Sequence, residues 1–149
     1  MRLEISYKTD VDKWIQEHHY LHSVPAGARL RLWIKDDSGN IIGAMMWGRP
    51  TARTYSATRI MENTRSYFVD DTDRFAESKA LSMARKLIRK HFPEVKGLIS
   101  YSSSGVGHNG TVYQADGWFA VGTTAAKCWN KNGRKNIDPS KKTRWVRSV

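Results

Sequence analysis

Apolar residues in this chain repeat with two periods, and segments of the two kinds alternate. In Arg29 to Lys35 (RLRLWIK), Leu30, Leu32 and Ile34 point one way and Arg29, Arg31 and Lys35 the other, the period of a half-buried strand. Ile41 to Trp47 (IIGAMMW) is apolar throughout and reads as a buried strand. The polar turn DDSGN, Asp36 to Asn40, joins the two as a hairpin, and Arg49-Pro50 ends it. A further strand, centred on RIMENTRSYFV, lies within Thr58 to Val69. Glu62 and Arg65 fall on opposite faces of a regular strand there, and share one only if a bulge intervenes. Leu3 to Ser6, Gly97 to Tyr101 (GLISY) and Trp118 to Thr123 (WFAVGT) supply three shorter strands.

The helical period marks two main segments. Asp10 is placed to cap a helix from Val11 to about His19, with Val11, Trp14, Ile15 and His18 on one face. Pro25 and Gly27 break the chain after it. From Glu77 to about His91, Ala80, Leu81, Ala84, Leu87, Ile88 and His91 share one face, while Lys79, Arg85, Lys86, Arg89 and Lys90 take the other. That cationic face is either solvated or a contact for nucleic acid. Pro93 follows the helix end. A Gly- and Ser-rich loop, Ser102 to Gly110, leads into a short helix at Thr111 to Ala115, which Gly117 stops. Strands and helices mix in this order, so the expected class is α/β (α+β), a mixed central β-sheet flanked by helices.

Composition narrows the setting. The chain has 149 residues, 40% of them hydrophobic, which suits one domain with a packed core. No apolar run approaches the length of a membrane span, and the start MRLEISYKTD lacks the core of a secretory signal. Cys128 is the single cysteine, which rules out an internal disulfide and points to a reducing, cytoplasmic setting.

Charge suggests a partner. Lys and Arg number 25 against 14 Asp and Glu, a net +11, so nucleic acid is the first candidate and a merely solubilising surface the alternative. Of this excess, +7 lies in residues 127–149, interleaved with Trp129 and Trp145. Lys127, Lys131, Arg134, Lys135, Lys141, Lys142 and Arg144 are expected phosphate contacts there. Alternatively Thr143 to Val146 is a strand and Trp145 belongs to the core. The expected division is a catalytic unit over 1–126, with 127–149 a basic segment that contacts DNA and completes the same domain.

Several polar residues carry candidate chemistry. His18, His19 and His22 cluster, and on a helix His18 and His22 would face one metal ion, iron or another; they equally suit a helix end. His108, between Gly107 and Gly110, is either a base or a helix cap. Arg49, in the tight Gly48-Arg49-Pro50 turn, is exposed by position and suits a phosphate.

The segment SYSSSGVGHNGTVYQADGW (Ser100 to Trp118) resembles the second half of the GNAT acyltransferase fold, in which a helix ending Tyr-x-x-x-Gly-aromatic precedes a strand. Here those residues are Tyr113, Gly117 and Trp118. A finer resemblance is to the phage Mom family of DNA-modification proteins. It is carried, in one order over Tyr20 to Gly122, by HHYLHSVPAG, WGRP, MENTRSYFVDD, AESKALSMARKLI and SYSSSGVGHNGTVYQADGW.

The resemblance implies a GNAT-like single domain that converts the exocyclic amine of adenine in phage DNA to a carbamoylmethyl form, protecting the DNA from restriction. It implies DNA, double-stranded or locally opened, and a small-molecule donor as partners, and no membrane. It places His19, Tyr20, Glu62, Tyr101, His108 and Tyr113 in the catalytic site, with Tyr113 a general acid, Tyr101 stacking on the base and Arg65 beside Glu62 or on a phosphate. Glu77, Ser78, Lys79, Gly107 and Gly110 would meet the donor, although Ser78 also suits a cap and both tyrosines also suit a core. GNAT enzymes hold the pyrophosphate of acetyl-coenzyme A on a glycine-rich loop; Asp71 to Ala80 (DTDRFAESKA) has no glycine. The donor is therefore left open, with acetyl-coenzyme A one option. Two other functions fit the same residues: a different GNAT-type N-acyltransferase acting on a small amine or protein, and a non-enzymatic nucleic-acid binder.

Overall fold

The alternating segments pair into one mixed sheet: β1 (Arg2–Ser6), β2 (Ala28–Lys35), β3 (Ile41–Gly48), β4 (Ile60–Phe68), β5 (Gly97–Ser103), β6 (Phe119–Thr124) and β7 (Lys142–Ser148). Three helices accompany it: α1 (Asp10–His18), α2 (Ala76–His91) and α3 (Thr111–Ala115). The computed structural model describes residues 1–19, 22–70, 72, 75–103, 110–124 and 142–149. The strand order is β1-β2-β3-β4-β5-β7-β6, antiparallel except for the parallel pair β4 and β5.

Both faces of the sheet are covered, which explains why β3 is apolar throughout. Leu30, Leu32, Ile34, Met45, Trp47 and Met61 pack with Ala80, Leu81, Ala84 and Ile88 of α2. Ala44, Met46 and Trp33 pack with Val11 and Ile15 of α1 on the other side. β2 is therefore more buried than its charges suggest: Trp33 lies under α1, and Arg31 pairs with Asp12 at 2.7 Å.

Two local expectations change, and one stated alternative holds. Asp10 is the first residue of α1, not the one before it; its carboxylate accepts from the Val11 N–H, the Ser6 hydroxyl and the Trp33 indole. Arg85 is not on a solvated face. It forms a two-pronged pair with buried Asp116, at 2.9 and 2.8 Å, and Asp116 also accepts from the Trp118 indole at 2.8 Å. That joins α2 to the turn after α3. The end of the basic segment is an inner strand, since β7 lies between β5 and β6 and carries buried Trp145 into the core. Among the described residues no helix is long and apolar enough to cross a membrane.

A parallel pair needs a long crossover, and α2 supplies it. β4 and β5 stay paired only from Ile60↔Gly97 to Glu62↔Ile99. Beyond that point β5 keeps its ladder with β7 as far as Ser103, and β4 keeps its ladder with β3 as far as Phe68. The two strands thus splay.

Candidate functional site

The splay opens a cleft of about 750 Å³. Its walls are β4 from Glu62 to Phe68, the β5 residues Ser100, Tyr101 and Ser102, and Tyr113 of α3. His18 and His19 at the end of α1, Glu77 of α2 and Lys142 of β7 also reach it.

Glu62 sits where the strands separate and is 5% exposed. Its Oε1 accepts from the Thr51 N–H at 2.9 Å and the Thr51 hydroxyl at 3.0 Å. Burial pushes its carboxyl above the ordinary glutamate range; the Thr51 bonds and the charges of Arg65 and Lys142 pull the other way without cancelling it. A carboxylate so placed binds a proton more readily than an exposed one.

Arg65 shares the Glu62 face because β4 bulges. Met46 lies opposite Arg65 and Trp47 opposite Asn63, which leaves Thr64 as the extra residue. The Arg65 guanidinium donates to the Ser23 carbonyl at 3.0 Å and the Thr64 carbonyl at 2.7 Å.

The two tyrosines come from the neighbouring elements. The Ser100 hydroxyl donates to the Tyr113 hydroxyl oxygen at 2.7 Å. The Tyr113 ring stacks on Trp145 at 5.9 Å, and the Trp145 indole donates to the Ser102 hydroxyl at 2.9 Å. Gly110 has φ +80° and lies against the Trp145 ring, so a Cβ there has no room. Its glycine thus serves packing of the wall. Burial raises the Tyr101 hydroxyl pKa, as do Glu62 and Tyr55, while Arg144 lowers it.

The structure brings together His19, Glu62, Arg65, Glu77, Tyr101, Gly110, Tyr113 and Lys142 around one cleft. It sets others apart. Arg49 is exposed at the end of β3, Lys79 is exposed on α2, and Arg144 lies over the Tyr55 ring. Ser78 bonds the Phe75 carbonyl at 3.1 Å, a local helix-end contact. Tyr20, Gly107, His108, Lys127, Lys131, Arg134, Lys135 and Lys141 lie outside the described residues.

The histidine metal site is not supported. α1 ends at His18, so His22 is off the helix and the four-residue spacing no longer aligns two imidazoles. His18 bonds the Trp14 carbonyl and stacks on that ring; His22 bonds the Gln16 carbonyl. Among the described residues no group of three His, Cys, Asp or Glu side chains could hold a metal ion, iron included.

The start of α2 differs in charge from a simple anion site. α2 begins at Ala76, and Glu77 in its first turn puts a carboxylate on the cleft where the helix dipole would otherwise favour an anion. Thr51 and Ser100 are the site residues that sequence patterns pass over. Thr51 is a loop residue eleven positions from Glu62, and Ser100 is one of several serines in a row.

A model of the Mom protein family matches residues 1–147. The chain belongs to that family. This Mom chain is 28% identical over 128 residues to the methylcarbamoylase mom of Escherichia phage Mu, an alignment covering 80% of the chain and 52% of the relative. It thus spans about half the length of that curated relative. Among solved structures, a mutant form of the spermidine/spermine N-acetyltransferase SpeG from Vibrio cholerae superposes with a TM-score of 0.66 at 11% identity, covering 99% of the chain and 93% of its own. A GNAT superfamily phosphinothricin acetyltransferase from Sinorhizobium meliloti, solved with AcCoA, gives 0.61 at 14% identity over 80% of the chain and 60% of its own. At such identity the likeness is one of fold, and the fold is GNAT.

Proposed function

We propose that this Mom-family chain is a transferase that carbamoylmethylates the exocyclic amine of adenine in phage DNA, and that the adduct shields the DNA from host restriction nucleases. The observation that carries the reading is the buried carboxylate of Glu62, its pKa raised by burial, at the end of the β4–β5 cleft, in a chain of the same family as the Mu methylcarbamoylase.

The amine is a poor nucleophile until it sheds a proton. As its nitrogen bonds the CH2 carbon of the incoming group, the bond from that carbon to the leaving group breaks, and one amine proton passes to a base. Glu62 takes that proton, with Thr51 holding one carboxylate oxygen in place. Tyr113, oriented by Ser100, gives a proton to the leaving group. Tyr101 provides a ring beside Glu62 on which an extruded base stacks, since a base inside a duplex is out of reach. The donor is a small molecule in the same cleft, and no step relies on coenzyme A. Such an enzyme works in the cytoplasm of the phage's bacterial host.

Nucleoside mass spectrometry of plasmid DNA from cells expressing the chain tests this. Carbamoylmethyl-deoxyadenosine is expected with the wild type and is lost in Glu62→Gln. Unmodified adenine beside abundant folded protein rejects the reading. Acyl transfer to a small amine would replace it with ordinary GNAT chemistry, and restriction protection that survives Glu62→Gln would point to a non-enzymatic binder.

A further inference from the structure

Arg29 is matched to Glu94, Arg31 to Asp12, Lys35 to Glu4 and Arg85 to Asp116. Residues 49–59 form the β3–β4 loop. They include Arg49, Arg53 and Arg59 and no acid. All three arginines are exposed, and their side chains make no hydrogen bond or ion pair among the described residues.

Exposed cations often only face water. This loop is instead tied at two points, to Glu62 on the cleft and to β7 beside it. Thr51 is bonded through its N–H and hydroxyl to Glu62 on β4. Tyr55 lies under the Arg144 guanidinium of β7, 6.0 Å from ring centroid to charge, and close to Tyr101 of β5. Arg53 falls between the two tethers. Arg144 adds a buried Nε that bonds no acceptor among the described residues. The loop thus meets the cleft at Thr51, beside Glu62, and carries Arg49 and Arg53 two residues to either side of that point. A base that enters the cleft beside Glu62 leaves its flanking phosphates outside, where exposed cations next to Thr51 can meet them.

We infer that the β3–β4 loop is the phosphate grip of this protein, with Arg49 and Arg53 binding the phosphodiesters that flank the nucleotide in the cleft. The inference rests on the proposed DNA substrate. It adds to the expected contacts of the basic segment a phosphate contact on a loop tied directly to the candidate base.

Binding of the full chain to a short fluorescein-labelled DNA duplex, followed by anisotropy across a salt series, tests it. Each lost phosphate contact lowers the slope of log affinity against log salt by about 0.9, so Arg49→Ala/Arg53→Ala should lower it by about 2. Arg49→Lys/Arg53→Lys, which keeps both charges, should hold the slope. Arg89→Ala/Lys90→Ala, on the exposed end of α2, should leave it unchanged. An unchanged slope in the loop alanine pair overturns the inference. So does an equal fall in the α2 pair, which would mean net charge alone, and so does a wild type that binds no DNA. Nucleoside analysis of the same proteins separates the two proposals. A loop-dependent slope without adenine adducts upholds the grip and rejects the chemistry; adducts with a loop-independent slope reject the grip alone.

Discussion

Glu62 and Arg65 stand on one face of β4 because Thr64 is an extra residue in the ladder with β3. In a regular strand their separation would turn Arg65 toward the apolar layer under α2, where a charge is costly. The bulge instead sets the guanidinium on the side of the carboxylate and offsets part of the cost of burying it.

That burial has a pH signature. The folded chain holds the Glu62 proton more tightly than the unfolded chain, because burial raises its pKa. Stability linked to this group is therefore fully present below the ordinary glutamate value and is lost as pH rises from there through the folded pKa. Glu62→Gln keeps an acceptor for Thr51 and removes that loss. Thermal melts should place the variant above wild type at neutral pH, with the gap closing below about pH 4. A gap that does not change with pH would contradict the raised pKa.

Tyr113→Phe separates chemistry from packing. The ring keeps its stack on Trp145, and loss of the bond from Ser100 costs about 1 kcal/mol in urea unfolding. If the hydroxyl is the general acid, the rate of adduct formation falls by roughly a hundredfold or more. A variant with the wild-type rate would remove Tyr113 from the chemistry.

Gly110→Ala should damage the cleft wall. It places a side chain at φ +80° and drives a Cβ into the Trp145 ring. Left-handed strain and overpacking together come to about 3 kcal/mol. Urea unfolding measures the loss, and a near-UV signal from displaced tryptophan should accompany it.

Asp116→Ala leaves the largely covered Arg85 without its carboxylate and the Trp118 indole without an acceptor. Breaking one half of such a pair costs about 3–5 kcal/mol. Arg85→Met/Asp116→Ala should be more stable than Asp116→Ala alone, since the stranded charge is gone. The reverse order in denaturant titrations would show that Arg85 is not stranded.

Local pattern determined much of this protein. The β2–β3 hairpin, the α2 helix before Pro93 and the Gly117 stop are each written in the periodicity or in a backbone-restricting residue. The motif order also pointed to the family and the GNAT fold, and the condition on Glu62 and Arg65 was legible as a condition. What tertiary structure decided is which distant residues meet. Thr51 holds Glu62 across a loop, Arg85 leaves the charged face of its helix for Asp116, and β7 slots between β5 and β6. Periodicity reports how a residue sits on its own element. It does not report which element lies opposite, and a charge or hydroxyl takes its role from the group it faces there.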